Sequence, residues 1–164
     1  MLKIKKAGNK DIPLIRDLTY RIWPQTYSSI LSPAQIEYML ELIYSEASLE
    51  KQMNEEQCRF LFVYDDDEPV GFASTGETEP GIYKLHKIYI LPSQQGKGTG
   101  KFVIDHIIRE LVEKKAKALR LQVNRYNKAR SFYEKLGFVV IDEADFDIGN
   151  GYFMNDYVME KKIC

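Results

Sequence analysis

YKLHKIYILPSQQGKGTGKFVIDHIIRELV, residues 83–112, reads as a strand, a glycine loop and a helix in direct succession. Leu85, His86, Lys87, Ile88, Tyr89 and Ile90 include the β-branched and aromatic side chains that suit a pleated, half-buried surface. Pro92 has no N–H to give to a ladder and closes the strand. Gln95-Gly96-Lys97-Gly98-Thr99-Gly100 follows, and after it Val103, Ile104, Ile107, Ile108 and Leu111 fall at the spacing of one helical face. Glycines at such a junction let the backbone come close to a bulky anion. The first N–H groups of the helix have no partner inside it and direct the positive end of its dipole to the same place, so the loop reads as a seat for phosphate. Two familiar phosphate loops do not fit. A Walker A loop needs Ser or Thr after its Gly-Lys pair, whereas Phe102 follows Gly100-Lys101 and Gln95 stands where the leading glycine should be. A dinucleotide fingerprint needs a third glycine where this chain has Lys101, and its strand opens a βαβ unit rather than lying deep in the chain. A glycine-rich turn without a ligand would carry the same triplet, so the loop alone leaves the ligand open.

In its context the loop resembles a known signature. Gln95-Gly96-Lys97-Gly98-Thr99-Gly100, after a strand that ends at Pro92, is similar to the Gln/Arg-x-x-Gly-x-Gly/Ala acetyl-CoA motif of the GNAT superfamily of N-acetyltransferases. Asn127-Lys128-Ala129-Arg130-Ser131-Phe132-Tyr133-Glu134-Lys135-Leu136-Gly137-Phe138 resembles that superfamily's second hallmark, Asn-x-x-Ala-x-x-Phe-Tyr-x-x-x-Gly-Phe, one residue short and at the expected distance downstream. With their strands the two blocks span about the second half of the chain; the first half matches in its pattern of elements. The resemblance implies an α/β (α+β) fold with a mixed, mostly antiparallel central sheet, flanked by helices and splayed between the fourth and fifth strands. It also implies one N-acetyltransferase domain over residues 1–164, with acetyl-CoA as co-substrate.

Composition agrees with a single domain: 164 residues, 45% hydrophobic and a net charge of −1 are enough for a sizeable core. Residues 1–6 alternate like a strand and lack the apolar stretch of a signal peptide, and no later run is long enough to span a bilayer, so a cytoplasmic protein is expected. Cys58 and Cys164 have neither the number nor the spacing of a disulfide framework or a zinc site and read as free thiols. No metal is expected. Near-zero net charge and the absence of a binding motif argue against nucleic acid.

From the amino terminus, Asn9 to Asp11 can cap a helix bearing Ile12, Ile15, Leu18 and Ile22, which Pro24 should end or kink. Ser32-Pro33 starts a second, with Ile36, Met39, Leu40, Ile43 and Tyr44 on one face. Trp23, Tyr27, Tyr38 and Tyr44 match by position the acceptor-lining helices of the superfamily, although aromatics at helical spacing more often pack in a core. Residues 59–64 and 70–74 form a hairpin around an acidic turn that reads as solvated, and residues 119–124 form a further strand. A helix with Ala129, Phe132, Tyr133 and Leu136 on one face then stops at Gly137. Residues 139–142 and 152–159 make the last strands, joined by a turn at 147–151.

Thioester aminolysis needs a base for the amine, donors for an oxyanion and an acid for the leaving thiolate. By resemblance, the backbone of Ile88, Tyr89 and Ile90 holds the pantetheine arm, and Gln95, Gly96, Lys97, Gly98, Thr99, Gly100 and Lys101 hold the pyrophosphate. Tyr133 falls on the tyrosine that protonates the departing sulfur in many members; a core tyrosine is the plain alternative. The missing residue in the second block leaves Asn124 and Asn127 as alternatives for a contact to pantetheine. His86 is similar in position to a histidine that the arylalkylamine branch uses as base, and a histidine satisfied within the sheet is the equal alternative. Lys84 stands where other members place an acidic base. Basic residues crowd the segment assigned to the co-substrate, while Asp142, Glu143, Asp145, Asp147 and Asp156 crowd the last strands. The tail and the early Trp23-Pro24-Gln25-Thr26-Tyr27 segment are most similar to the bacterial branch that includes spermidine/spermine acetyltransferases. The expected partner is therefore a small-molecule amine, with a polyamine first among candidates and a homodimer compatible with the sequence. A peptide or protein amino terminus, another small amine, and an acyl-CoA sensor without turnover are the alternatives.

Overall fold

Leu2 and Ile4 are half-buried between exposed lysines, the alternation that makes β1 (Leu2–Ala7) an edge strand, antiparallel to β2 (Arg59–Asp65). In the computed structural model, which describes residues 1–163, three helices lie between these strands in the chain: α1 (Ile12–Tyr27), α2 (Pro33–Tyr44) and α3 (Glu46–Asn54). There follow β3 (Glu68–Glu79), β4 (Ile82–Ile90), α4 (Thr99–Glu113), β5 (Ala118–Asn124), α5 (Ala129–Lys135), β6 (Val139–Gly149) and β7 (Tyr152–Lys162). The strands form one mixed, mostly antiparallel sheet in the order β1-β2-β3-β4-β5-β7-β6. Only a crossover can join parallel neighbours, and α4 supplies it between β4 and β5. Their ladder runs from Ile82↔Ala118 to Leu85↔Leu121 and stops, although β4 continues to Ile90 and β5 to Asn124. This is the splay expected between the fourth and fifth strands.

The chain makes two compact units, one of Met1–Gly76 and Lys87–Asp105, the other of Glu77–His86 and the chain from His106 onward. In the first, Ile15, Leu18 and Ile22 of α1 are buried, as their spacing requires, and Ser32 caps α2 by accepting from the Gln35 N–H at 3.1 Å. Pro24 does not end α1. The missing N–H and the ring clash cost about 3 kcal/mol in a helix interior, but Trp23 is buried and stacks on Tyr27, one turn on, at 4.6 Å between centroids. The helix closes only when the Ser28 N–H reaches the Pro24 carbonyl. α3 gave no clear signal in the sequence because it is short and buries a glutamine, Gln52, beside Leu49.

Gly71 marks the closest approach of β3 to β4. A Cβ there would sit 2.5 Å from the Tyr89 carbonyl oxygen and 2.7 Å from the Ile90 side chain. Backbone cannot yield as a side-chain tip can, so Gly71→Ala should destabilise the protein by about 1–3 kcal/mol, read as a lower urea midpoint at unchanged slope; an unshifted midpoint would show that the strands relax freely.

In the second unit Leu119, Leu121, Phe138 and Met159 are buried, and Leu121 pairs with Met159 across β5 and β7. Gly137 ends α5 at φ +96°, as expected, and Lys161 Nζ donates to the neighbouring Leu136 carbonyl at 2.7 Å. The last hairpin is longer than the sequence reading. β6 reaches Gly149, which pairs with Tyr152, so the connection is only Asn150-Gly151, both at positive φ. Asn-Gly is the preferred pair for a two-residue hairpin turn, and Asp147 accepts from the Gly149 N–H at 2.8 Å beside a register shift. Cys58 is buried and in no disulfide; Cys164 lies outside the described residues. No helix of the described residues is long and apolar enough to cross a membrane.

Candidate functional site

The glycine loop leaves β4 through a 3-10 turn at Pro92–Gln94 and enters α4 at Thr99. Gly96 and Gly98 take φ of +79° and +76°, the left-handed region that favours glycine. Open space lies where each would carry a Cβ. The first N–H bonded into the helix is that of Phe102, to the Gly98 carbonyl at 3.0 Å, so those of Thr99, Gly100 and Lys101 remain directed out of the helix end. Donors, dipole and open space coincide, which fits a pyrophosphate. Gln95 and Lys97 are exposed beside them, and Lys101 Nζ is paired with Asp105 one turn on at 2.6 Å.

What holds this loop was not visible in the motif. Gln94, buried, donates to Asp65 Oδ2 at 3.2 Å and accepts from Thr99 Oγ1 at 2.9 Å, tying the helix start to the β2–β3 turn. Asp65 is therefore an anchor and not only part of a solvated turn. Hydrogen bonding from Gln94, with the amino terminus beside it, holds its carboxyl below the usual range.

On β4, Ile88 and Ile90 are half-buried. Tyr89 turns its ring to α1: its hydroxyl and that of Tyr27 are 3.0 Å apart, and its centroid lies 5.8 Å from Trp23 and 5.9 Å from Phe72. Of the four aromatics singled out in the early helices, Trp23 and Tyr44 are core, while Tyr27 and Tyr38 are half-buried. Burial pushes the Tyr44 hydroxyl well above the usual tyrosine value. Lys87 is a buried cation that the sequence did not reveal. Its Nζ donates to Gln52 Oε1 at 2.7 Å and lies 5.6 Å from the ring centres of both Tyr44 and Phe60. Gln52 is set by its own bonds to the Ile43 carbonyl and Ser48 Oγ.

The second unit carries the remaining residues. Tyr133 is buried on α5, its ring 5.3 Å from Phe132 and 5.9 Å from Phe138. Asn124 and Asn127 each spend the side-chain oxygen locally, accepting from the N–H groups of Tyr126 and Ala129 at 2.9 Å. Their amide NH₂ groups, and one lone pair on each oxygen, are left for a ligand. His86 is half-buried on β4 and shares strand parity with Lys84, whose Nζ donates to Gln122 Oε1 on β5.

The acidic crowd of the last strands is partly neutralised. Arg125 pairs with Asp145 and lies 3.7 Å from Glu143, while Asp147 serves its own turn. Asp156 differs from these: it is 2% exposed on β7, opposite Asn124. Burial pushes its carboxyl up to about 6, against the lowering fields of Lys84 and Arg125.

The family model of the acetyltransferase (GNAT) domain matches residues 28–160. The chain is similar to the ribosomal protein bS18-alanine N-acetyltransferase of Haemophilus influenzae, 33% identical over 109 residues that make up 66% of this chain and 73% of that protein. It is 24% identical over 170 residues to an uncharacterized N-acetyltransferase from the pepI 3′ region of Lactobacillus delbrueckii subsp. lactis, covering 99% of this chain and 98% of that protein. Among solved structures, the PaiA N-acetyltransferase of Thermoplasma acidophilum, in complex with coenzyme A, superposes at a TM-score of 0.83 with 27% identity over 99% of each chain. The ribosomal-protein-S18-alanine N-acetyltransferase of Escherichia coli shares the fold at a TM-score of 0.75 and 21% identity, covering 99% of this chain and 94% of that one.

Proposed function

The chain belongs to the acetyltransferase (GNAT) domain family and is an N-acetyltransferase that uses acetyl-CoA; from this premise we propose that residues 1–164 act as one domain that acetylates a primary amine, with a polyamine as preferred acceptor. The observation that carries the co-substrate assignment is the seat at the start of α4, where the Thr99, Gly100 and Lys101 N–H groups precede the first helical hydrogen bond and Gly96 and Gly98 have open space at their Cβ positions. The exposed carboxylates of the last hairpin support the acceptor: Asp142, Glu143, Asp145 and Asp147 stand on β6 against one nearby arginine, Arg125. A flexible polycation is attracted by such a hairpin, and the attraction is screened by salt.

Acetyl-CoA, when bound, supplies an acyl group already activated as a thioester. The residues of this chain then divide the work. Gln95, Gly96, Lys97, Gly98, Thr99, Gly100 and Lys101 hold the pyrophosphate, and the Ile88, Tyr89 and Ile90 backbone holds the pantetheine arm in strand fashion, with the amide near Ile90 toward the thioester oxygen. The NH₂ of Asn124 or Asn127 steadies the same arm. Tyr133 gives its proton to the leaving sulfur: a phenol titrates near ~10 and is protonated at neutral pH. A peptide amino terminus is the second reading, favoured by the likeness to an alanine N-acetyltransferase.

Release of free thiol from acetyl-CoA in the presence of spermidine, spermine, a peptide beginning with alanine, an aminoglycoside or an arylalkylamine tests both readings. Spermidine or spermine should give the highest kcat/KM, and its KM should rise with added salt. Preference for the peptide, or a polyamine KM indifferent to salt, would overturn the polyamine assignment; coenzyme A binding without thiol release from any amine would favour a sensor.

A further inference from the structure

Gly96 and Gly98 open the seat, but glycine has more backbone freedom to lose than any other residue, so a loop built on two of them is not held in shape by its own backbone. One side chain spans it. Gln94 stands just before residues 95–98 and reaches Thr99 just after them: its Oε1 accepts from the Thr99 hydroxyl at 2.9 Å, and its backbone carbonyl accepts from the Lys97 N–H at 3.3 Å inside the loop. Gln94 is 6% exposed and Thr99 1%. The amide has one workable orientation. An ionised carboxylate only accepts, so Asp65 Oδ2, at 3.2 Å, requires the NH₂ of Gln94; the amide oxygen then faces Thr99, whose hydroxyl has to donate. Gly98, whose carbonyl receives the first helical bond, is the N-cap of α4 and has no side chain that could accept from the Thr99, Gly100 or Lys101 N–H groups. The Asp65–Gln94–Thr99 chain therefore fixes the start of the helix without using any of the three donors of the seat.

We propose that Gln94, held by Asp65, is a positioning residue for the co-substrate: it keeps the loop in the shape that receives the pyrophosphate and so sets the affinity for acetyl-CoA through Thr99 rather than by contact with the ligand. This rests on the seat assigned above. Charge and geometry predict opposite results at Asp65. Its carboxylate is near enough to the loop for the charge of Lys97 to act on it. On charge alone, removing it would strengthen the binding of a polyanion and leave Lys97 freer to meet the phosphates. As the anchor of the chain, its removal weakens binding.

The test is calorimetric titration of coenzyme A into the full chain and its variants, with kinetics in acetyl-CoA at a saturating level of spermidine or the alanine-led peptide, whichever the wild type acetylates faster. Gln94→Met, nearly equal in length but with no donor and only a weak acceptor, and Asp65→Ala should each weaken coenzyme A by about tenfold to thirtyfold, the scale of a lost hydrogen bond to a charged group. The KM for acetyl-CoA should rise by the same factor with kcat within about threefold of wild type, whereas a merely structural role would lower the melting temperature and kcat and leave KM in place. Asp65→Asn keeps an oxygen for the Gln94 NH₂ and should recover most of the affinity. Asp66→Ala removes the same charge from the neighbouring, exposed residue and should not weaken binding. Thr99→Val added to Gln94→Met should cost less than about twofold more, since the bond between them is already gone. Binding unchanged or tighter in Asp65→Ala, Gln94→Met within about threefold of wild type, or a loss confined to kcat would overturn the proposal. Gly98→Asp tells its failure from that of the seat. Weak binding in Gly98→Asp with normal binding in Gln94→Met would remove the brace alone, while tight binding in Gly98→Asp would remove the pyrophosphate from the loop and the role of Gln94 with it.

Discussion

Gly98→Asp is expected to weaken coenzyme A binding by on the order of a hundredfold to a thousandfold while leaving the protein folded. The new carboxylate would enter the open space at the Gly98 Cβ position, next to the start of α4, and compete with the pyrophosphate for the Thr99, Gly100 and Lys101 N–H groups. Two like charges about 4 Å apart at an effective dielectric of about 20 repel by about 4 kcal/mol, which is nearly three orders of magnitude in affinity. Backbone strain adds a smaller amount, since Gly98 sits at φ +76° and an L-residue there costs about 1–2 kcal/mol. Gly98→Ala separates the two: it carries the strain without the charge, meets no atom within 4 Å, and should lose no more than about tenfold. The fold tolerates the aspartate because an acidic side chain at a helix N-terminus is favourable in itself. Calorimetric titration with coenzyme A measures all three proteins. An aspartate variant that binds as tightly as wild type would remove the pyrophosphate from this loop.

Tyr133→Phe is expected to lower kcat by about two to three orders of magnitude, with the affinity for coenzyme A unchanged within about twofold. Only the hydroxyl is lost. The ring keeps its neighbours Phe132 and Phe138 at 5.3 and 5.9 Å, so the melting temperature should change little and a loss of rate cannot be charged to unfolding. Chemical rescue by a thioester with a better leaving thiolate offers a second reading, because a departing group of low basicity has less need of an acid. A near-normal rate with acetyl-CoA would make Tyr133 a packing residue of α5.

Asp156 and the loop illustrate two different relations between sequence and structure. The loop's conformation follows from contiguous residues. Gly96 and Gly98 occupy positive φ, Gly137 stops its helix in the same region, and Asn150-Gly151 makes a two-residue turn. Asp156 drew notice in the sequence only as one acid among five, four of which lie exposed on β6. Its place opposite Asn124 comes from the pairing of β7 with β5, strands far apart in the chain.

The same division runs through the whole protein. Residues 83–112 by themselves determined a strand, a turn open to an anion and an amphipathic helix, because period, chain breakers and left-handed glycines act over a few neighbouring residues. The α/β class came from the resemblance carried by the two blocks, and the strand–helix–strand order is the connection that the parallel β4–β5 pair of the structure requires. Tertiary structure alone decided that α1 survives Pro24 through the packing of Trp23 on Tyr27, and that β6 runs on to Gly149 under the pairing of β7. It also decided that Gln94 and Asp65 brace the loop, that Lys87 is buried on Gln52, and that Asp156 is buried opposite Asn124. The physical reason is common to these cases. A side chain's hydrogen bonds and charge partners are chosen by whatever the sheet register brings alongside it, and register is a property of paired strands that no single stretch of chain contains.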